Sequence, residues 1–231
     1  MKRFAGLACL LTLTAGLSMG SEQIESKHAP RDVSADTDPN SGFWLGVDPI
    51  LTERDGSGVV VPGHRTEIRS RWTDRNLYFL FICPYDQLNL KPEPKTKTET
   101  NELWNWDVAE VFIGSDFKNI RRYKEFEISP QGEWIDLDID LDAPRHEDGW
   151  VWNSGFQAAA RIDPDAKIWY GFMRIPYAAV DARTAAAGTT FRVNFFRSQG
   201  ARPNRKAIVW QPTNRPTFHV PEVFGTLRLV D

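Results

Sequence analysis

The stretch Tyr123–Asp140, YKEFEISPQGEWIDLDID, decides the fold. Apolar and polar residues alternate on both sides of its SPQG centre, the period of a strand with one face buried. Pro130 and Gly132 stand second and fourth in a turn opened by Ser129, a type I pattern. If Ser129 and Gly132 close that turn, Ile128 faces Glu133, Glu127 faces Trp134, Phe126 faces Ile135 and Glu125 faces Asp136. This register predicts a core face of Phe126, Ile135, Leu137, Ile139 and Leu141. Tyr123, Glu125 and Glu127 then share the other face with Trp134, Asp136, Asp138, Asp140 and Asp142. Facing carboxylates repel unless a cation intervenes. Arg or Lys partners, solvent or a bound calcium would each serve. Calcium prefers several oxygen ligands converging from loops, so the pattern favours a solvated acidic face with basic partners.

Outward from this hairpin, strand-like runs separated by turn signals recur at 66–72, 77–83, 107–113, 121–128, 133–141, 156–162, 167–175, 191–197, 207–210 and 224–230. Their β-branched and aromatic content predicts an all-β fold, an antiparallel, jelly-roll-like β-sandwich. One short helix is expected within Tyr177–Ala187, opened by Pro176. Lys91–Glu102, KPEPKTKTETNE, reads as a charged loop.

The chain begins with Lys2 and Arg3, an apolar run over Leu7–Leu17, and small Ser18 and Gly20 before a cleavage point at Ser21. That is the pattern of a signal peptide, too short for a membrane span. The expected layout is a signal peptide over 1–20, an extended polar segment over 21–40 and one sandwich domain over 41–231. The expected location is secreted or periplasmic. Removing the leader takes Cys9 with it and leaves Cys83, inside the apolar run LYFLFIC, as a buried, unreactive thiol without a disulfide partner. The net charge of −3 with both signs interspersed, and the lack of a basic block, argue against a nucleic-acid partner. No other segment is apolar enough to span a membrane, and nothing fixes the oligomeric state.

Nine tryptophans are many for this length, and several adjoin loops: Trp44, Trp104, Trp106, Trp150, Trp152 and Trp210. An indole offers a rigid apolar plane and one N–H donor, which suits the C–H face and hydroxyl edge of a sugar. Trp72 and Trp169, each inside a strand run, read as core. In LWNWDVAEVFIG, Leu103–Gly114, strand alternation puts Trp104, Trp106, Val108 and Glu110 on one side and Asp107, Ala109, Val111 and Ile113 on the core side. Two indoles and a Glu suit a sugar groove; a sandwich rim has the same pattern.

Enzyme signals are weak. Carboxylates are plentiful without a pair that stands out. The four histidines are scattered, without HExxH or a nucleophile elbow. Zinc finds no ligand set with one Cys left after cleavage.

RTEIRSRWTDRNLYFLFIC, LWNWDVAEVFIG, YKEFEISPQGEWIDLDID, IWYGFMRIPYAAV, FRVNFFRS and FGTLRL, in that order, resemble the carbohydrate-binding module family 9 type across roughly residues 44–230. The resemblance implies a β-sandwich with two tryptophans clamping a terminal sugar, and calcium as a structural ion. Trp104, followed six residues later by Glu110, matches the first platform and a Glu that bonds sugar hydroxyls. Trp210, before the closing strand, matches the second platform. Asn194 and Asp136 are carried over as further sugar-binding positions, and Trp106 joins the site through its place beside Trp104. The expected function is therefore a secreted, non-catalytic binder of plant-type or other glycans such as xylan. Two rivals stay open. One is a haem-binding electron-transfer sandwich, although Met173 shares a strand face with Ile175 as a core residue does. The other is a glycan-processing hydrolase.

Overall fold

A computed structural model describes residues 23–231, so the expected signal peptide over 1–20 lies outside the described residues. The strands are β1 (Gln23–His28), β2 (Ile50–Thr52), β3 (Thr66–Trp72), β4 (Asn76–Pro84), β5 (Val108–Gly114), β6 (Arg122–Ile128), β7 (Trp134–Asp140), β8 (Gln157–Asp163), β9 (Ile168–Pro176), β10 (Thr190–Gln199), β11 (Lys206–Val209) and β12 (Gly225–Val230). They hydrogen-bond in the order β7-β6-β5-β10-β12-β1-β3-β4-β9-β8, with β11 on β10 and β2 on β3. Because sheets twist, this long sheet folds over on itself, and Phe126 of β6 meets Phe156, just before β8, at 5.3 Å between ring centroids. The result is the expected all-β sandwich.

Alternation along the strands sorts the core into layers. Leu77, Phe79, Phe81 and Cys83 of β4 meet Ala109, Val111 and Ile113 of β5 and Phe191, Val193 and Phe195 of β10 between the two halves. Trp72, Trp169 and Met173 lie in the same cluster, as their strand positions predict. Gly171 marks the closest approach: a Cβ there would come within 2.9 Å of the Trp169 ring and 3.1 Å of Ile128 Cγ2. The opposite faces are buried too, under loops. Trp44 fills one such layer with Tyr78, Leu80, Tyr170 and Phe172. It is fully buried, and its Nε1 donates to the Asp36 carbonyl at 3.0 Å.

The SPQG hairpin differs from the expected register by one residue. The turn closes as predicted, with the Gly132 N–H donating to the Ser129 carbonyl at 3.0 Å. Gly132, however, sits at φ +85°, in the left-handed region, and becomes an extra residue before the pairing resumes. Ser129 N–H then bonds the Glu133 carbonyl at 2.9 Å. This is the three-residue loop built from a type I turn and a glycine bulge. Glu127 therefore faces Ile135, Phe126 faces Asp136 and Glu125 faces Leu137. The predicted Phe126–Ile135 core face and the Glu125–Asp136 confrontation do not form. The acidic positions farther from the turn acquire the expected basic partners: Lys124–Asp138 at 2.6 Å, Arg122–Asp140 at 2.7 Å and Arg121–Asp142 at 2.6 Å.

Two further features depart from expectation. The helix covers only Tyr177–Val180, because the Asp181 carboxylate accepts the Arg183 N–H at 3.0 Å, a local bond that competes with helix propagation. The polar N-terminal segment contains β1, which runs parallel to both neighbours in an otherwise antiparallel sheet. Among the described residues, no helix is long and apolar enough to cross a membrane.

Candidate functional site

The outer face of β5, β6, β7 and β10 carries the densest chemistry. Val108 and Phe112 of β5, Tyr123 of β6, Ile135, Leu137 and Ile139 of β7 and Phe196 of β10 form its apolar floor. Leu103, Trp104, Trp150, Phe218 and Phe224 cover it from the loops. Phe218 lies nearly parallel to Phe196, 4.4 Å between centroids. Beside it, Tyr123 Oη lies 2.7 Å from His219 Nδ1.

Set into this floor are three carboxylates. Glu110 pairs with Glu127 across β5 and β6, and Glu125 lies two residues from Glu127 on the same face. One oxygen from each lies within 4.8 Å of the others. All three side chains are buried, and Glu127 is 0 % exposed. Glu125 and Glu127 hydrogen-bond each other when one of them carries a proton, and no other group bonds either Glu127 oxygen. Burial, then mutual repulsion, holds Glu110 and Glu127 well above the ordinary carboxylate range. Arg205 is the nearby opposing charge. Its guanidinium donates to the carbonyls of Trp104, Asn105 and Trp106, each at 2.6 Å, and so ties down the loop carrying both indoles.

Trp104 is partly exposed and packs against the outer cluster, but from a single helical turn over Leu103–Asn105, so the expected backward extension of β5 does not form and Leu103 joins the same cluster. Trp106 is partly exposed beside it. Asn194 is fully buried. Its Nδ2 donates to the Gln211 carbonyl and its Oδ1 accepts the Gln211 N–H, both at 3.0 Å. Trp210 is 9 % exposed and belongs to the inter-sheet core, 5.7 Å from Phe195. Its neighbour Val209 lies in the outer cluster, so Trp104 and Trp210 pack in separate apolar layers. The part of Trp210 left uncovered lines a different groove, of about 1250 Å³, with Ile24, Ile50, Gln211 and Phe224. Asp136 is buried on the inner side, where it accepts from the Ser154 N–H at 3.0 Å and from the Ser154 hydroxyl. The structure thus joins Trp104, Trp106 and Glu110 at one location and places Trp210 and Asp136 elsewhere.

Arg205, Phe218 and His219 belong to this face without a sequence signal that places them there. Arg205 lies in an irregular polar loop, and the Phe218–His219 pair shows no periodicity to assign it a face. Glu125 and Glu127 were legible as one face, but their meeting with Glu110 is set by the pairing of β5 with β6, whose register no local turn signal fixes.

Comparison with known proteins agrees with this architecture. An extracellular protein of the fungus Arthroderma benhamiae is 23% identical over 181 residues, covering 73% of this chain and 80% of the relative. A carbohydrate binding module family 9 from Caldicellulosiruptor kristjanssonii, solved with cellotriose, superposes with a TM-score of 0.64 at 14% identity, covering 90% of this chain and 93% of that one. The module solved with glucose gives 0.62 at 14% identity, covering 90% and 95%. Residues 44–231 match the family described as Carbohydrate family 9 binding domain-like, and the chain belongs to that family.

Proposed function

We propose that this protein is a secreted, non-catalytic glycan binder that seats a sugar ring on Trp104, with Trp106 beside it and Glu110 beneath. The observation that carries the reading is a partly exposed indole, anchored by Arg205, at the rim of an aromatic and acidic face in a chain of this family. The ligands of the solved relatives favour ends of plant-type glucose polymers, with xylan a second class to test. Export is supported by the leader-like first twenty residues and by the extracellular fungal relative.

Stacking one indole on a pyranose removes ~100 Å² of apolar surface, worth about 2.5 kcal/mol. With a few hydrogen bonds, and after the cost of association, the dissociation constant falls on the order of 10 µM to 1 mM. A second reading keeps Trp210 as a platform, because its edge lines the groove beside β1 and β2. Titration of cellotriose and xylotriose into the wild type, Trp104→Ala and Trp210→Ala separates the two. The first reading expects Trp104→Ala to lose roughly tenfold or more in affinity while Trp210→Ala binds as wild type. Loss confined to Trp210→Ala would move the site to the groove. A folded Trp104→Ala that binds as wild type would sink the Trp104 platform.

A further inference from the structure

The fold brings two of the four scattered histidines together. His146 opens a helical turn over His146–Val151, and His219 stands beside Phe218 in the segment before β12. Their ring centroids lie 4.2 Å apart, with the ring planes at 58°. No hydrogen bond joins the two rings, and the His146 side chain makes none among the described residues. Its Nε2 lies 3.7 Å from Glu147 Oε1. On the other side, His219 Nδ1 lies 2.7 Å from the hydroxyl of buried Tyr123. Burial first, and His146 second, lower the His219 pKa from 6.5 to about 4. The ring is therefore neutral at pH 7, the form that binds a metal.

From this juxtaposition we infer that His146 and His219 form a binding site for a divalent transition ion of the zinc–copper class, with Glu147 as the third protein ligand. Imidazole nitrogens hold zinc at about 2.0–2.1 Å, so two on one tetrahedral ion sit roughly 3.3 Å apart. Rings whose centroids are 4.2 Å apart can present nitrogens at that separation. With Nδ1–H donating to Tyr123 Oη, His219 Nε2 keeps its lone pair for the ion. A second group that orients a metal-binding imidazole in this way is a regular part of such sites. The His146 side chain is 27 % exposed, which lets it rotate to complete the pair and gives the ion a way in. Two imidazoles and one carboxylate suit zinc and copper, whereas calcium and magnesium prefer oxygen alone. The ion would tie the turn carrying Trp150 to the segment carrying Phe218, two of the aromatic covers over the outer floor.

The test uses the untagged mature chain, stripped with chelator, and involves no sugar. Calorimetric titration with zinc chloride at neutral pH should show saturable binding. His146→Ala, which removes a ligand, should weaken it by roughly a hundredfold, and Tyr123→Phe, which removes only the hydroxyl, by about tenfold. His28 and His64 lie beside Asp74 and Asp86 instead, so a loss in the His146 variant locates the ion. Copper(II) on the wild type should give an electron paramagnetic resonance spectrum coupled to two imidazole nitrogens, reduced to one in His146→Ala. Should His146→Ala fail to fold, His146→Gln carries the same expectation. No zinc binding by the stripped wild type, zinc affinity unchanged in a folded His146 variant, or copper coupled to a single nitrogen would overturn the site. Zinc affinity unchanged in Tyr123→Phe would overturn the part assigned to Tyr123. None of these readouts depends on the glycan reading.

Discussion

Asn194 holds Gln211 with both halves of its amide, accepting from the backbone N–H and donating to the carbonyl, each at 3.0 Å. The side chain imitates a strand: it extends the β10–β11 ladder beyond its last backbone pair, Phe196 with Val209. The Trp210 N–H also bonds the Phe195 carbonyl at 3.0 Å, so alternation carries Val209 to the outer layer with Phe196 and Trp210 to the inner one with Phe195. Asn194→Asp keeps the shape but replaces the donor with an acceptor facing the Gln211 carbonyl. We expect a loss of about 1–3 kcal/mol, read as a lower urea midpoint with an unchanged slope. A midpoint equal to wild type would show the clip to be dispensable.

Gly171 should not tolerate a side chain. A Cβ would meet the Trp169 ring and Ile128 where the two layers come closest. Gly171→Ala should cost about 1–3 kcal/mol through overpacking, and Gly171→Val more, both visible in thermal melts.

His219 gives a stability change with a definite sign. Burial first, and the nearby His146 second, lower its pKa from 6.5 to about 4, with Glu147 opposing. The neutral ring can accept the Tyr123 hydroxyl proton at Nδ1. The unfolded chain binds the proton near pH 6.5, whereas the folded chain resists until about pH 4. The contribution is therefore complete above that window and is lost as pH falls through it. Since the ring is only partly covered, the total should be about 1–3 kcal/mol. His219→Gln, which can still accept the hydroxyl but cannot titrate, should flatten the acid limb of a stability–pH curve. An unchanged limb would contradict the assignment.

Cys83 should be silent in the native state. Burial pushes its thiol up to about 12, despite the Arg197 charge nearby. Labelling by iodoacetamide at neutral pH should proceed only through unfolding, with a rate that rises with urea. The melting temperature should not respond to dithiothreitol, since this thiol is free. Rapid labelling without denaturant would show the thiol to be accessible.

The strand map was legible because two-residue alternation with aromatic and β-branched residues is a strong local signal. All ten expected runs, from Thr66–Trp72 to Gly225–Val230, recur within two residues of their predicted ends. β1 was not legible: QIESKH has one fully buried residue, Ser26, and owes its place to backbone pairing with distant strands. The hairpin shows a finer limit. Proline and glycine announced the turn, but the left-handed glycine decides the register, and with it which residues meet the Glu pair. Of the candidate site, alternation places Glu110 with Val108 and Phe112, whereas Trp104 reaches that face from a helical turn that breaks the alternation before β5. The inward face of Trp210 could not be read, because it follows from pairing opposite Phe195 of β10, a long-range register that no local pattern marks.

β1 has one more consequence. Lys27 and His28 pair with β3, Gln23–Lys27 pair with β12, and β3 and β12 do not pair with each other. A chain clipped after His28 would therefore have a vacant slot in the middle of its sheet, with open hydrogen-bonding edges on both sides. Open edges recruit strands, so such a clipped chain becomes an acceptor for the leading segment of an intact neighbour. Gln23–His28 thus act as a zip that closes the middle of the sheet, and trimming them leaves both of its edges open.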